Sequence, residues 1–213
     1  LWDLEKSPQT AVVLMIEPDH MDVHASMEEY VAAKANITAF QSEEDFLVYH
    51  PTNTYSRQIA EQSKALKVRF MTEEGANVVI PAQAGIQKPD WIPDQVWNDG
   101  SGEWVVIENK LICAVEEVGL RGRHNLENIC AAITAAWNFT KDTSAINKAV
   151  TQFKGLPHRL ELVREFDGVA YYNDSYSSAP GATTAAIKSF TNPEILICGG
   201  FDRRQAYIRR SAA

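Results

Sequence analysis

A continuously apolar run, Thr10 to Ile16 (TAVVLMI), constrains this chain more than any other segment. It is short and rich in β-branched residues, the pattern of a strand buried on both faces. Such strands sit in parallel sheets covered by helices. The polar turn Glu17-Pro18-Asp19-His20 follows at the strand's carboxyl end, which in open α/β sheets is the edge where ligands bind. The alternation then continues. Ser26 followed three residues later by Glu29 forms a capping box, so a helix starts there and is expected to run to about Phe40. Phe46–Tyr49 reads as a strand, Tyr55–Ala65 as a helix and Lys67–Met71 as a short strand.

Residues 75–104 break this rhythm with Pro81, Pro89, Pro93, Gly85, Gly100 and Gly102. A turn-rich connection of that length reads as a surface insertion. Trp104–Ile107 and Leu111–Val115 flank Glu108-Asn109-Lys110 as a β-hairpin. His124–Phe139 and Thr143–Phe153 read as helices. A second unit begins near Gly155. Leu160–Arg164 and Val169–Tyr172 are strands around the turn Asp167-Gly168, Ala182–Phe190 is a helix, and Ile195–Cys198 is a strand ending in Gly199-Gly200. Strand, helix, strand and glycine turn is the grammar of a parallel sheet.

The chain has 213 residues, 45% hydrophobic and 23% charged, enough apolar content for a sizeable core. A formal charge of −8 with no Lys/Arg block argues against wrapping nucleic acid or coating an anionic membrane. No apolar run approaches the ~18 residues of a membrane helix. The first residues carry no signal-peptide pattern and no initiator Met, as expected of a segment from inside a longer protein. Cys113, Cys130 and Cys198 lack metal-type spacing and read as buried free thiols of a reducing compartment.

Lys34 is the most informative single position. On a helix, Met27, Tyr30, Val31, Lys34 and Ile37 share one side, so the lysine stands in an apolar stripe. It either snorkels to water or sits where its amine loses its proton and can be modified. His20 lies near the same sheet edge, although an Asp-His pair alone is a weak metal signal. Asn125 and Asn128, three apart on the next helix, turn their amides one way and suit either an adenine edge or capping. Arg159, at the junction of the units, is placed to fork onto phosphate oxygens or to form an ion pair between units. Asp174 ends a strand, where it serves either a ribose or a turn.

In this order DHMDVH, EEYVAAKANI, GRHNLENICAA, GLPHRLE, YYNDSYSS and ICGGFD resemble the Mur ligase family, and within it the members that add D-glutamate. The similarity covers nearly the whole chain except about residues 75–104. It implies an α/β fold: residues 1–154 form part of a P-loop-type central ATPase domain, mostly parallel sheet with flanking helices. Residues 155–213 would be the first part of a Rossmann-like C-terminal domain. It further implies an ATP- and Mg²⁺-dependent ligase of peptidoglycan synthesis in the cytoplasm, monomeric at full length, with no nucleic-acid or membrane partner. Its substrates would be UDP-N-acetylmuramoyl-L-alanine and D-glutamate. ATP would convert a carboxylate to an acyl phosphate, which the incoming amine attacks.

Carried over by position, His20 would be a magnesium ligand and Lys34 the carbamylated lysine, whose added CO₂ supplies the oxygen ligands magnesium prefers. Asn125 and Asn128 would lie near adenine, Arg159 at a nucleotide phosphate and Asp174 at the ribose. Ser175, Ser178 and Arg203 would bind substrate. Tyr176 and Arg203 stand where lysines are usual, and Met15 where asparagine is common. No GxxxxGK[ST] loop occurs in these residues, so the isolated chain is expected to have little ligase activity. The alternatives are a non-catalytic remnant, or a related ligase of folylpolyglutamate-synthase or cyanophycin type that uses another amino acid.

Overall fold

A computed structural model describes residues 4–72, 75–79 and 102–200. Strands β1 (Thr10–Val13), β2 (Phe46–Tyr49) and β3 (Leu66–Arg69) form a parallel sheet in that order. Helices α1 (Met27–Ala35) and α2 (Thr54–Gln62) make the crossovers. The period-two alternation of a strand divides the sheet's side chains cleanly. Ala11, Val13 and Leu47 pack with Tyr30, Val31 and Ile59 under α1 and α2. Val12 and Val48 face the other way, into a core with Ile129, Cys130 and Ile133 of α3 (Arg123–Ala136). Strand β1 is thus covered on both faces, but it is shorter than the Thr10–Ile16 run: it ends at Val13, and Leu14 and Met15 are exposed. Lys67 and Arg69 on the exposed strand β3 blunt the free edge of the sheet.

Against the same α3 core lies an antiparallel sheet of β4 (Asn77–Val79), β5 (Trp104–Ile107) and β6 (Lys110–Ala114). The β5–β6 turn holds Glu108 and Asn109 at φ 47° and 59°, the left-handed pair a tight hairpin demands. Helix α4 (Thr143–Gln152) packs on β6. The second unit has the hairpin β7 (Glu161–Phe166) and β8 (Val169–Asn173), then α5 (Pro180–Ile187).

Several boundaries differ from the sequence reading. Helix α1 ends at Ala35 and a 3₁₀ turn covers Asn36–Thr38. Ser26 accepts the Glu29 N–H at 3.3 Å, but the Glu29 carboxylate returns to the N–H of Ala25 at 2.7 Å, one residue before the cap. The proposed insertion at 75–104 is narrower, because its ends belong to the core. Ala76 is fully buried, its N–H donates to Thr134 Oγ1 at 2.9 Å, and β4 extends the antiparallel sheet. Residues 80–101 lie outside the described residues. No strand forms at Ile195–Cys198: Ile195 and Ile197 are each 94% exposed. Among the described residues β7 and β8 pair only with each other, so that apolar run has no ladder to join. Cys198 is consequently exposed, not buried.

Burial pushes the Cys130 thiol up to about 12 and the Cys113 thiol up to about 11, with the nearby Cys113 and Glu117 charges respectively adding to it. Thiolate is the reactive form. At neutral pH the folded chain is expected to show one fast-reacting thiol, Cys198, with the other two titrating only after denaturation; a disulfide-exchange reagent with and without urea counts them. Thr134→Val is expected to cost about 1–3 kcal/mol in urea unfolding, because it leaves the buried Ala76 N–H without an acceptor.

Candidate active site

The carboxyl end of β1 is held by side chains of the neighbouring crossover. The Val13 carbonyl accepts the His50 N–H at 3.1 Å and the Ser56 hydroxyl at 2.8 Å. Asn53 closes a two-way contact with Ile16: its Oδ1 accepts the Ile16 N–H at 3.3 Å and its Nδ2 donates to the Ile16 carbonyl at 3.1 Å. Asn53 also caps α2 by accepting the Ser56 N–H at 2.9 Å. The chain therefore leaves the sheet in a fixed direction.

His20 follows with φ 56°, in the left-handed region that non-glycine residues seldom occupy. Asp19 Oδ1 accepts its N–H at 2.8 Å, and its carbonyl accepts the N–H groups of Val23 and His24, both at 3.0 Å. Those bonds hold a tight turn that presents a half-exposed imidazole, 3.5 Å from Asp19 Oδ2. Lys34 lies in the last turn of α1, partly buried, where a cation also favours the helix dipole. Its Nζ sits 4.6 Å from the centroid of the Tyr30 ring. The same ring has the His24 imidazole at 5.1 Å and the His20 imidazole at 6.5 Å. Tyr30 is thus the common neighbour that places the lysine tip and the histidine on one side of the sheet edge. The sequence placed Tyr30 in the stripe with Lys34 and His24 in the turn with His20, but gave neither a role at the site.

The other sequence candidates gather at the seam between the two units. Asn125 and Asn128 share a face at the start of α3, with Asn128 Nδ2 3.5 Å from Asn125 Oδ1. Asn125 Nδ2 donates to the Arg121 carbonyl at 2.7 Å, so one amide hydrogen serves the loop before the helix. Asp174 clasps its own unit, accepting the Leu160 N–H at 3.0 Å and the Ser177 hydroxyl. Arg159 is exposed, its guanidinium carbon 6.0 Å from the Tyr176 ring centre within its own unit. Ser175 and Ser178 are exposed on the same turn, and Arg203 lies outside the described residues.

His124, to which the sequence reading gave no role, links the two sets. It is half-buried, and burial holds its pKa below the ordinary 6.5. The Asp174 and Glu127 carboxylates oppose that shift and the Arg159 guanidinium adds to it, so all three charges are within electrostatic reach. Glu127 in turn lies 3.7 Å from His50 Nε2 at the end of β2. Gly122, at φ 90°, has no space for a β-carbon beside the His124 ring and the Ser189 hydroxyl, so the second unit approaches closely there. Glu17 makes a similar approach to Gly181 at the start of α5. A cavity of about 250 Å³ beside this seam is lined by Leu120, Gly122, Arg123, Leu126, Lys188 and Ser189 among others. Among the described residues no three His, Cys, Asp or Glu side chains cluster to hold a metal by themselves.

Residues 2–136 match the family profile described as the Mur ligase middle domain. The chain belongs to the Mur ligase family. It is 40% identical over 207 residues to the "UDP-N-acetylmuramoylalanine--D-glutamate ligase" of Acetivibrio thermocellus, covering 97% of this chain and 41% of that protein. The like-named protein of Roseiflexus sp. is 38% identical over 200 residues, covering 93% of this chain and 41% of that one. The chain therefore spans about two fifths of the length of these relatives. Among solved structures, MurF from Acinetobacter baumannii matches with a TM-score of 0.65 at 16% identity, over 86% of this chain and 37% of that one. MurF ligase from Thermotoga maritima in complex with ADP matches at 0.60 and 17% identity, over 86% of this chain and 39% of that one. These structures bear out the α/β fold with a parallel sheet and flanking helices. No helix among the described residues is long and apolar enough to cross a membrane.

The depressed His124 pKa fixes the sign of a pH effect. The unfolded chain binds the proton more readily, so stability rises with pH across that window. His124 contributes stability that is present above about pH 6.5 and lost as the pH falls through its lower folded value. Urea unfolding from pH 7.5 to 5 is expected to show a shallower acid-side loss in His124→Gln than in the unsubstituted chain.

Proposed function

We propose that this chain is part of an ATP-dependent ligase that joins D-glutamate to UDP-N-acetylmuramoyl-L-alanine in the cytoplasm. Residues 1–154 would form part of the ATPase domain and 155–213 the beginning of the C-terminal domain. The observation that carries this reading is 40% identity along 97% of the chain to a D-glutamate ligase. The placement of the candidate residues supports it. Asn125 and Asn128 stand at the start of α3, where their amides suit an adenine edge. Arg159 and Asp174 come from the facing unit, and His124 feels both charges. Ser175 and Ser178 lie on the turn after Asp174, suited to the substrate side. Arg203 would pair with the D-glutamate carboxylate through its forked guanidinium.

The donors near Tyr30 fit a magnesium ion shared with a nucleotide better than a closed protein cage. Magnesium prefers oxygens, dehydrates reluctantly and commonly keeps substrate phosphates among its ligands. His20 offers an accessible nitrogen, and Lys34 would offer oxygens once its neutral amine adds CO₂ to give a carbamate and a proton. Bound there, the ion would neutralise charge on the phosphates. The two units bring the nucleotide to the sheet edge, the γ-phosphoryl group passes to the substrate carboxylate, and the amine of D-glutamate displaces phosphate. No nucleic-acid or membrane partner is needed, and the full-length protein is expected to be a monomer.

The test assays the enzyme containing this chain with ATP, Mg²⁺, UDP-N-acetylmuramoyl-L-alanine and either enantiomer of glutamate. Phosphate release should follow D-glutamate; release that follows L-glutamate, or that ignores the amino acid, overturns the reading. Lys34→Ala is expected to lower kcat by at least about 10²-fold, the scale of losing one electrostatic stabiliser. A carbamate resonance from ¹³C-bicarbonate should appear in the parent protein and be missing from this variant.

A further inference from the structure

Arg121 belongs to the loop that leads into α3, yet its guanidinium lies beside a pair of rings from the other unit and reaches both. Its carbon is 5.5 Å from the Tyr172 centroid and 5.5 Å from the Phe190 centroid. The rings themselves meet edge to face, 4.8 Å apart. A planar, weakly hydrated cation suits such a site, and a point-like ammonium suits it less. The next residue, Gly122, has no room for a β-carbon beside Ser189, so the loop and the second unit are in close contact along this stretch.

The backbone of the same residue faces the candidate nucleotide site. The Arg121 carbonyl accepts Asn125 Nδ2 at 2.7 Å. Tyr172 lies in β8, immediately before Asn173 and Asp174. One residue therefore touches the supports of two others: the amide of Asn125 on the first unit and the turn of Asp174 on the second. We propose that Arg121 is a positioning residue, a clamp packed against the paired rings of Tyr172 and Phe190 that fixes the two units and aligns Asn125 and Asp174 for a nucleotide. The nucleotide half of this proposal rests on the ATP site proposed above; the clamp itself does not. Neither side chain of the aromatic pair needs to touch the ligand.

Two readouts separate these halves. With Cys198→Ser removing the exposed thiol, spin labels at Glu61→Cys on α2 and Asp167→Cys on the β7–β8 turn report the distance between units. The unsubstituted clamp should give a narrow distribution. Arg121→Ala and Tyr172→Leu should broaden it at least about twofold, an enlargement typical of a freed domain pair. Tyr172→Phe, which keeps the ring, should leave it narrow. Circular dichroism confirms that each variant is folded. Unchanged widths in Arg121→Ala and Tyr172→Leu, or broadening in Tyr172→Phe, overturn the clamp.

The second readout is titration with ADP. Affinity should fall about tenfold in Arg121→Ala and Tyr172→Leu, equivalent to 1.4 kcal/mol, and stay level in Tyr172→Phe. Broadened distances with undiminished ADP affinity overturn the positioning role and leave a purely mechanical clamp. That titration uses the longer enzyme containing this chain, and failure of its unsubstituted form to bind ADP overturns the nucleotide half together with the ATP site, while the distances still decide the clamp.

Discussion

A parallel strand that ends at a ligand-facing edge leaves backbone groups without ladder partners, and buried groups of that kind must be satisfied elsewhere. Here Ser56 and Asn53 satisfy them for β1, at Val13 and Ile16. Much else follows from this arrangement. The crossover helix that supplies both side chains is packed against the strand it serves, so the path after β1 is fixed before any ligand arrives. The left-handed turn at His20 and the direction of α1 are built on that path. Removing either polar group would loosen the sheet edge and the aim of His20 together.

The seam between the units works by different means. Short-range fits occur at separate points: Arg121 beside the paired rings of Tyr172 and Phe190, Gly122 against Ser189, and Glu17 against Gly181. Each is small, and cation–π contacts at exposed sites are worth only about 0.5–1 kcal/mol. Their spacing matters more than their strength. The approach of Gly122 to Ser189 lies against the ring of His124, whose neutral form avoids placing a second cation beside Arg159. An arrangement of this type can open without unfolding either unit, as the proposed nucleotide site would require.

Most of the first unit was legible because its signals are local. The apolar run of β1, the Ser26–Glu29 cap and the β5–β6 turn each depend on neighbouring residues, and each appears where expected, although β1 ends at Val13 and not at Ile16. The stripe containing Tyr30 and Lys34 also follows from helical period alone. Long-range facts were hidden. Gly75 and Ala76 read as the start of an insertion because their partner, Thr134, is 58 positions away. The role of Arg121 depends on rings from β8 and from beyond α5, which no spacing rule connects. Ile195–Cys198 has the composition of a buried strand, but composition cannot provide the neighbour with which a strand must pair.

The Tyr30 ring gives the proposed carbamate a geometric consequence. An aromatic face carries negative electrostatic potential, so it attracts an ammonium group. At 4.6 Å from the Tyr30 centroid, the Lys34 Nζ lies where such a face attracts a cation. Adding CO₂ reverses the charge of the tip, and an anion at that position would be repelled by the ring that now holds it. The carbamate must swing off the face of Tyr30, and a cation is the partner able to hold it there. Magnesium brought in with the nucleotide satisfies that need, and His20 already stands near the same ring. Under the proposed function, Tyr30 would favour the unmodified lysine and a bound ion would favour the modified one. Carbamylation and nucleotide binding should then reinforce each other, because each supplies what the other lacks at the same sheet edge.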